Sequence, residues 1–283
     1  MQKINYANRN GSIMISYEKQ TPPLNMPRDH FHDSYEMYYL LSGERYYFIK
    51  DRTYHIVKGN LVLINRYELH RTLDANVPSW ERILINFRPE FLAPDNTDRI
   101  KRLVSMFDAG SSVLSFTVKG QTIIEDILFK LLGEADSANS NFEEMLAAYL
   151  VQLLVFTSRF AGQNTLTADS FIHYIHKKAI PIVQFINSHY MEPLSLNTLA
   201  KLFYMSPYYL CKVFKESTGF TCIEYLNQVR VKEAQTLLRR SDSNVTEVSE
   251  KVGFGSVSQF GRVFKEISGV SPLKYRKKTK KII

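Results

Sequence analysis

Short runs of aromatic and β-branched residues alternate with turn residues through the first third of the chain. The runs span residues 35–41, 46–49, 54–57, 61–64 and 83–87. Turn signals such as Ser42-Gly43 and Lys58-Gly59-Asn60 separate them at intervals of about ten residues. This spacing is typical of antiparallel strands in a barrel or sandwich and does not fit alternating strand–helix units. The sequence contains no glycine-rich phosphate loop.

The hydrophobic period changes to three and four residues from about residue 98. The positions that carry it are Ile100, Leu103, Val104 and Phe107, then Ile123, Ile127, Leu128, Leu131 and Leu132. They predict amphipathic helices. A third helix, predicted over residues 142–160, is apolar around much of its circumference, so it must be buried against the barrel or in a subunit interface. Both alternatives stay open, and we favour the interface. Residues 161–170 have the composition of a loop.

A helical unit occurs twice in the last third of the chain. Ser206, Phe214-Lys215-Glu216 and Gly219 recur as Ser256, Phe264-Lys265-Glu266 and Gly269, each pair 50 residues apart. Each copy has the order helix, short turn, capped second helix. Ser256 with Gln259, and Thr221 with Glu224, predict capping boxes. The helix that starts after Thr221 would set the distance between the two units.

The second helix of each copy has one apolar and one polar face. A helix can enter the major groove of DNA only if its outward face carries hydrogen-bond donors while its inward face holds it to the scaffold. The inward positions are Leu210, Val213 and Phe214 in the first copy, and Phe260, Val263 and Phe264 in the second. The predicted DNA-contacting positions are Ser206, Tyr208, Cys211, Lys212 and Lys215, then Ser256, Val257, Ser258, Arg262 and Lys265.

Among these positions Arg262 is the candidate for base recognition, because its planar guanidinium can bond both acceptors of a guanine edge. Lys215 and Lys265 are expected to contact phosphates, which carries no sequence information. The alternative for every position is an ordinary solvated surface.

The net charge of the chain is concentrated in this repeated part. The whole chain has a formal charge of +8, and residues 181–283 contain 11 lysines and 5 arginines against 8 acidic residues, which accounts for all of it. A neutral first part joined to a basic second part suggests a polyanion-binding module attached to a domain with a different partner.

The remaining composition restricts where the protein acts. The first ten residues lack the apolar region of a signal peptide, and the charge-free apolar window over residues 145–158 is shorter than the roughly 20 residues that a bilayer needs. Two cysteines, Cys211 and Cys222, are too few for a disulfide framework and fit a reducing compartment. We therefore expect a cytoplasmic protein that does not contact membranes.

The repeated part resembles the DNA-binding domain of AraC-family transcriptional regulators. The positions that carry the resemblance are Leu194-Ser195-Leu196, Leu199-Ala200, Phe214-Lys215, Arg230, Ala234, Leu237-Leu238, Gly253-Phe254, Phe264-Lys265, Gly269, Pro272 and Tyr275-Arg276. The resemblance implies two helix-turn-helix units on successive major-groove segments of double-stranded DNA, a homodimer, and RNA polymerase as a partner. Ser249, where an alanine is common, and Gly261 in the second recognition helix depart from the pattern.

The first part resembles the cupin fold. His30-Phe31-His32, Glu36 and Gly43, followed by Gly59 and His70, have the spacing of its two motifs, although Asn65 and Tyr67 replace the usual proline and glycine. In metal-binding cupins the equivalents of His30, His32, Glu36 and His70 ligate a divalent ion. In AraC-type regulators the barrel generally binds a small effector, often a sugar. The candidate effector-binding residues are His30, His32, Glu36, Tyr38, Tyr46, Trp80 and Arg82.

The predicted fold is therefore an all-β cupin-like (jelly-roll) barrel with appended helices, followed by an all-α domain with two helix-turn-helix units. The expected boundaries are residues 1–97 for the barrel with an N-terminal arm, 98–172 for dimerisation and linker helices, and 173–283 for the DNA-binding domain. The arm would cover the first 25 or so residues, with Pro22-Pro23 and Pro27, and fold over an occupied pocket.

The predicted function is a sequence-specific transcription regulator that acts as an activator and responds to a small effector. The sequence assigns no cofactor apart from the candidate divalent ion in the barrel. A ligand-independent regulator with a structural barrel is the first alternative. A metal-cupin enzyme is a weaker one, because no nucleophile, base and acid accompany the histidines. The chain is thus not expected to be an enzyme.

Overall fold

The computed structural model describes residues 3–21, 32–75, 77–92, 97–108, 112–161 and 174–279. The chain divides into two compact units, Met1–Phe171 and Ile172–Ile283. The first unit contains all of the described strands, and the second is entirely helical over its described residues. A sheet-rich, cupin-like domain followed by a helix-turn-helix domain is the predicted fold class, which is confirmed.

Two antiparallel sheets form the first unit. Their strands, within the described part of the chain, are β1 (Ile4–Ala7), β2 (Ile13–Gln20), β3 (Tyr35–Ser42), β4 (Glu44–Ile49), β5 (Arg52–Val57), β6 (Asn60–Ile64), β7 (His70–Asp74), β8 (Trp80–Phe87) and β9 (Val113–Ser115). The larger sheet has the order β1-β2-β8-β3-β6-β9, and the smaller has the order β5-β4-β7. All five predicted runs lie in strands, because their β-branched and aromatic residues pack well on a pleated surface.

Helices cover one face of the larger sheet. They are α1 (Pro89–Leu92), α2 (Thr97–Val104) followed by a 3₁₀ turn (Ser105–Phe107), α3 (Val118–Ser137) and α4 (Phe142–Ala161). Ile15, Met37 and Ile85 of the sheet share a hydrophobic core with Leu128 of α3 and Leu150 of α4. The predicted all-round apolar helix is thus buried on one side within its own unit. Its other side, with Met145 and Gln152, is exposed.

Residues 4–20 form two strands and not the predicted arm. β1 and β2 pair as a hairpin, and β2 pairs with β8 over its whole length. Ile13, Ile15 and Tyr17 are buried in the core, so alternation of apolar and polar residues specifies a strand here. The prolines expected in the arm, Pro22-Pro23 and Pro27, lie outside the described residues, as do residues 162–170 of the predicted loop.

The second unit has seven helices over its described residues. They are α5 (Tyr174–His189), α6 (Leu196–Leu202), α7 (Pro207–Thr218), α8 (Cys222–Arg240), α9 (Val245–Lys251), α10 (Val257–Ser268) and α11 (Pro272–Thr279). Helices α6 and α7 form the first helix-turn-helix unit, and α9 and α10 form the second. The long helix α8 lies between them in sequence and packs against both.

The two helix-turn-helix units differ by one residue in the length of their turns. α7 and α10 are 50 residues apart, whereas α6 and α9 are 49 apart. Four residues connect α6 to α7, and five connect α9 to α10. Every repeated residue found in the sequence lies at the last position of the turn or beyond it, where the 50-residue interval holds. The repeat therefore gave no sign that the second turn is one residue longer. With the 49-residue interval, Ser249 corresponds to Ala200, and both are buried.

No helix among the described residues is long and apolar enough to cross a membrane.

Candidate ligand chamber and nucleic-acid interface

The two faces of the larger sheet differ in chemistry. One face packs against the helices and is apolar. The other faces the smaller sheet, and the strand registers give it Glu36, Tyr38, Arg82 and Asn86. Because residues directly opposite each other in paired strands share a face, this polar set lies between the two sheets. The same face carries Leu40 and Leu84, so the space between the sheets, which we call the chamber, is lined by both apolar and polar side chains. A largely apolar lining with a few charged and amide groups is typical of small-molecule sites.

Glu36 lies at the centre of one end of this chamber with 1% of its surface exposed. Its carboxylate accepts hydrogen bonds from Tyr47 Oη at 2.6 Å and from Asn86 Nδ2 at 3.0 Å. His32 Nε2 lies 3.0 Å and His70 Nε2 lies 3.6 Å from Glu36 Oε2. Burial alone would raise the pKa of Glu36, but the charge of His70 and the hydrogen bond from His32 outweigh it and hold the pKa well below its usual range.

Burial also raises the pKa of Tyr47 well above its usual value, and the neighbouring Glu36 carboxylate raises it further. Tyr47 therefore remains a neutral hydroxyl that donates to Glu36. Its ring stacks on that of His70 at 6.2 Å between centroids, and the ring of Tyr38 meets it edge-on at 5.2 Å. Hydrogen bonds and ring contacts thus fix the orientation of the side chains at this end of the chamber.

The donor atoms of His32, Glu36 and His70 all lie within 4.8 Å of one another. His70 Nδ1 is 2.7 Å from the carbonyl oxygen of Glu68 and must donate to it, since a carbonyl only accepts. In the neutral ring Nε2 then carries a lone pair that faces the Glu36 carboxylate. A cation between the two groups would make this contact favourable. A backbone carbonyl behind a ligating histidine is also usual at metal sites. The residues present therefore fit a divalent ion.

Two arginines line the other end of the chamber. The guanidinium carbons of Arg45 and Arg82 lie 5.0 and 5.8 Å from the centre of the Trp80 ring. Arg82 donates to Ser16 Oγ at 3.0 Å and to Glu18 Oε2 at 2.8 Å. Arg45 is 1% exposed, and its burial lowers its pKa. Aromatic faces beside charged planar groups suit the stacking and hydrogen bonding of a small polar ring.

The structure brings together most of the predicted chamber residues. His32, Glu36, Tyr38, Trp80 and Arg82 share the space between the sheets, and His70 joins them from the smaller sheet.

Tyr46 does not belong to this set. It lies on the opposite face of β4 from Tyr47, and its ring lies 5.2 Å from that of His55. Strand alternation explains this placement, because adjacent residues point to opposite faces. His30 lies outside the described residues.

Arg45 and Asn86 were missed by the sequence analysis. Both have the parity of the interior positions in their strands, Arg45 with Tyr47 and Asn86 with Arg82, and this was the only signal that could have identified them.

In the first helix-turn-helix unit, Leu210, Val213 and Phe214 are buried as the pattern predicts. Ser206 caps α7 by accepting a hydrogen bond from Tyr209 N at 3.2 Å, and Gly219 ends the helix at φ +81°. On the opposite face Ser206, Tyr208, Lys212 and Lys215 are exposed, Tyr208 at 81%, whereas Cys211 is half-buried.

In the second unit Phe260, Val263 and Phe264 are buried. The outward set of Ser256, Val257, Ser258, Arg262 and Lys265 is exposed. Ser256 accepts from Gln259 N at 3.2 Å, which is the serine half of the predicted capping box. Complete capping boxes form at Thr221 with Glu224, as predicted, and at Asn244 with Glu247. Each recognition-helix candidate is thus held by its apolar face and a defined start.

Comparison with known families also separates a ligand-binding first part of the chain from a helix-turn-helix second part. Residues 14–154 match the model of the AraC-like ligand binding domain, and residues 199–278 match that of a helix-turn-helix domain. The Msm operon regulatory protein of Streptococcus mutans is 25% identical over 256 residues, 87% of this chain and 84% of that protein. The uncharacterized HTH-type transcriptional regulator YdeC of Bacillus subtilis is 24% identical over 88% of this chain and 85% of its own length.

Some similarities cover about a third of the chain, and others nearly all of it. The bifunctional transcriptional activator/DNA repair enzyme AdaA of Bacillus subtilis is 31% identical over 99 residues, 35% of this chain and 47% of that protein. Among solved structures, ToxT from Vibrio cholerae covers 95% of this chain and 98% of its own, at 14% identity and a TM-score of 0.37. The DNA-binding domain of AdpA with its target DNA covers 35% of this chain and 90% of its own, at 33% identity and a TM-score of 0.34.

Proposed function

Because the chain belongs to the AraC family of transcriptional regulators, with a ligand-binding and a helix-turn-helix domain, we propose that a small polar effector, with a sugar as the first candidate, binds between the two sheets and controls transcription. The observation that carries this proposal is the set of polar side chains, Glu36, Arg82 and Asn86, on the interior face of the larger sheet. The proposed sign of regulation is activation, in line with the family resemblance.

The chamber offers an effector three kinds of contact. Tyr38 and Trp80 present aromatic faces, Glu36 and Asn86 present hydrogen-bonding groups, and Arg82 presents a guanidinium. Sugars combine apolar ring faces with hydroxyl groups that such planar polar side chains can bind. An effector changes regulation only if it binds two arrangements of the protein with different affinity. We propose that its contacts with both sheets favour one arrangement of the DNA-binding units.

The first experiment is thermal melting of the full chain against neutral sugars, each tested beside its acid and phosphate forms because two guanidinium groups line the chamber. Binding to the native state raises the melting temperature by mass action. Glu36→Gln and Arg82→Met should remove the rise. Tyr46→Phe, on the outer face of β4, is the matched control and should retain it. A rise that survives both chamber substitutions would contradict binding at this site.

The ligand-independent regulator remains the alternative. It predicts that no compound changes the melting temperature or the expression of a reporter gene. Under that hypothesis Glu36→Gln would alter stability alone, since the chamber would serve only to hold the two sheets together.

A divalent ion held by His32, Glu36 and His70 is a second candidate ligand of this chamber. The short distance of 3.6 Å between His70 Nε2 and Glu36 Oε2 favours it. When bound, the ion would act as a fixed charge to which effector oxygens can bind. His30, a further candidate ligand, is not among the described residues. Elemental analysis of the purified full chain, before and after chelation, should find one metal equivalent. His32→Ala should lose it. No metal in the native chain after metal loading, or an equal amount in the native chain and in His32→Ala, would exclude the site.

Substitution of two of these residues distinguishes an enzyme from a regulator. An enzyme would lose turnover on replacement of His32 or Glu36 by alanine. A regulator would lose its effector response and keep its affinity for DNA.

For the helical domain we propose that the exposed faces of α7 and α10 enter successive major grooves, with Arg262 contacting a base. We also propose a homodimer, in which two ligand chambers are coupled to one operator, and a contact with RNA polymerase at the promoter. Sedimentation of the full chain measures the oligomeric state. A monomer at micromolar concentration on DNA would contradict the dimer.

A further inference from the structure

Arg230, in the middle of α8, is a buried charged side chain at the junction of the two helix-turn-helix units. Its side chain is 6% exposed. Nε donates to the carbonyl oxygen of Tyr190 and Nη2 to that of Glu192, each at 2.7 Å. Both acceptors lie just past the end of α5, in the segment that leads into the first unit. The negative end of the α5 dipole and two strong hydrogen bonds offset the cost of burying this cation.

The guanidinium of Arg230 also contacts the second helix-turn-helix unit. Its central carbon lies 5.5 Å from the ring centre of Phe254, in the turn between α9 and α10. Phe254 is buried and packs at 5.3 Å against Phe260 of α10. Arg230 therefore connects the entry of the first unit to the recognition-helix candidate of the second through a single side chain.

A direct backbone contact reinforces this connection. Gly253, beside Phe254, has φ +84°, and a Cβ atom there would lie 2.5 Å from the carbonyl oxygen of Met191. Only glycine allows the turn of the second unit to approach the segment before the first unit so closely. The corresponding left-handed position of the first unit is Tyr204, whose side chain is 97% exposed. The close approach is thus a property of the second turn.

From these contacts we infer that Arg230, with Gly253 and Phe254, fixes the spacing of α7 and α10 and so determines which separation of DNA half-sites the protein accepts. This inference rests on the proposed entry of α7 and α10 into successive major grooves. A helix connecting two units limits their distance but leaves rotation about its ends. Hydrogen bonds to two carbonyls on one side and a stacked ring on the other restrict that rotation. Arg230 is accordingly a positioning residue that acts without touching DNA.

The test begins with selection of binding sites from random double-stranded DNA by the full chain. Duplexes are then made in which the two selected half-sites are separated by stepwise longer spacers. The native chain should lose about tenfold in affinity for a spacer one base pair too long, equivalent to about 1.4 kcal/mol. In Arg230→Lys, whose ammonium cannot reproduce the planar two-carbonyl contact, this loss should shrink to about threefold.

Two further variants make the result specific. Phe254→Leu removes the stacking face while keeping an apolar side chain, and it should also broaden the accepted spacing. Arg240→Lys, on an exposed position of α8, is the matched control and should leave the spacing preference unchanged. Both replacements are smaller than the native side chains and create no clash, so folded variants are expected and are verified by their melting temperatures.

The inference fails if folded Arg230→Lys and Phe254→Leu keep the native spacing preference. It also fails if they lose affinity equally for every spacer, because that result would indicate a purely structural role.

Discussion

Ser249 carries a hydroxyl group into the core of the second helix-turn-helix unit. The residue is 1% exposed, and its Oγ has no hydrogen-bond partner among the described residues. The corresponding residue of the first unit is Ala200, which packs without a polar atom. The sequence analysis noted Ser249 as a departure from the family pattern, and the structure supplies the physical consequence, a buried polar group without compensation.

We predict that Ser249→Ala raises the free energy of unfolding by about 1 kcal/mol, since it removes an uncompensated buried hydroxyl without creating a large cavity. Ser206→Ala is the control of opposite sign. Ser206 is exposed but caps α7, so its replacement should lower stability by about 1 kcal/mol. Urea unfolding of the full chain measures both. Equal effects of the two substitutions would contradict the assignment.

At the scale of elements, α7 and α10 have the same apolar face but different outward faces. α7 presents Tyr208 and two lysines, whereas α10 presents Gly261, Arg262 and a single lysine. A Cβ at Gly261 would meet no atom within 4 Å, so the residue is not required by packing. The two helices are therefore expected to contribute unequally to DNA recognition.

The two cysteines test the orientation of α7. Cys222 is fully buried at the start of α8, and burial raises its pKa to about 12, so it stays a shielded thiol at neutral pH. Cys211 is half-buried on α7. We predict that a maleimide modifies one cysteine in the native chain and two after unfolding. Operator DNA should protect Cys211, and DNA of unrelated sequence at the same salt concentration should protect it less. Equal labelling with and without operator would place Cys211 away from the groove.

Arg262 and Lys215 test the division between base and phosphate contacts. Arg262→Ala should relax the preference at one base position and cost about 1–3 kcal/mol on the selected site. Lys215→Ala should weaken binding to all sequences alike and reduce the slope of affinity against salt concentration by about one. Binding-site selection followed by salt titration measures both effects. An unchanged sequence profile in Arg262→Ala would refute its role as a base contact.

At the scale of the whole molecule, each unit has its own core. The apolar face of the larger sheet packs on α3 and α4, and the apolar faces of the helix-turn-helix units pack on α8. Independent cores allow one unit to bind a ligand and the other DNA without either depending on its neighbour to fold.

We predict that residues 172–283 fold alone, bind the same DNA sequence as the full chain and show no thermal response to effectors. If the full chain is a dimer through its first unit, the fragment should bind about 10²–10⁴-fold more weakly, because two linked binding modules gain effective concentration. Circular dichroism and DNA titration of the fragment measure this. An effector response in the isolated fragment would contradict a chamber between the sheets.

The strands at residues 35–64 and 83–87, the repeated helices, their caps and the basic second part could be predicted from the order of amino acids. The strands, helices and caps depend on short-range patterns: alternation, a period of three to four residues, and capping groups three residues apart. The resemblance to the cupin motifs, and not these patterns, identified Glu36, His32 and His70 as one candidate group.

The three-dimensional fold was needed to show which face of each strand lies in the chamber, and therefore that Tyr47 and Arg45 belong there and Tyr46 does not. It also added β1 and β2 to the sheet and paired β9 with β6. Arg230 acquired its role in the same way, through carbonyl groups about 40 residues before it and a ring 24 residues after it. These features depend on contacts between distant segments, and local periodicity carries no information about which segments meet.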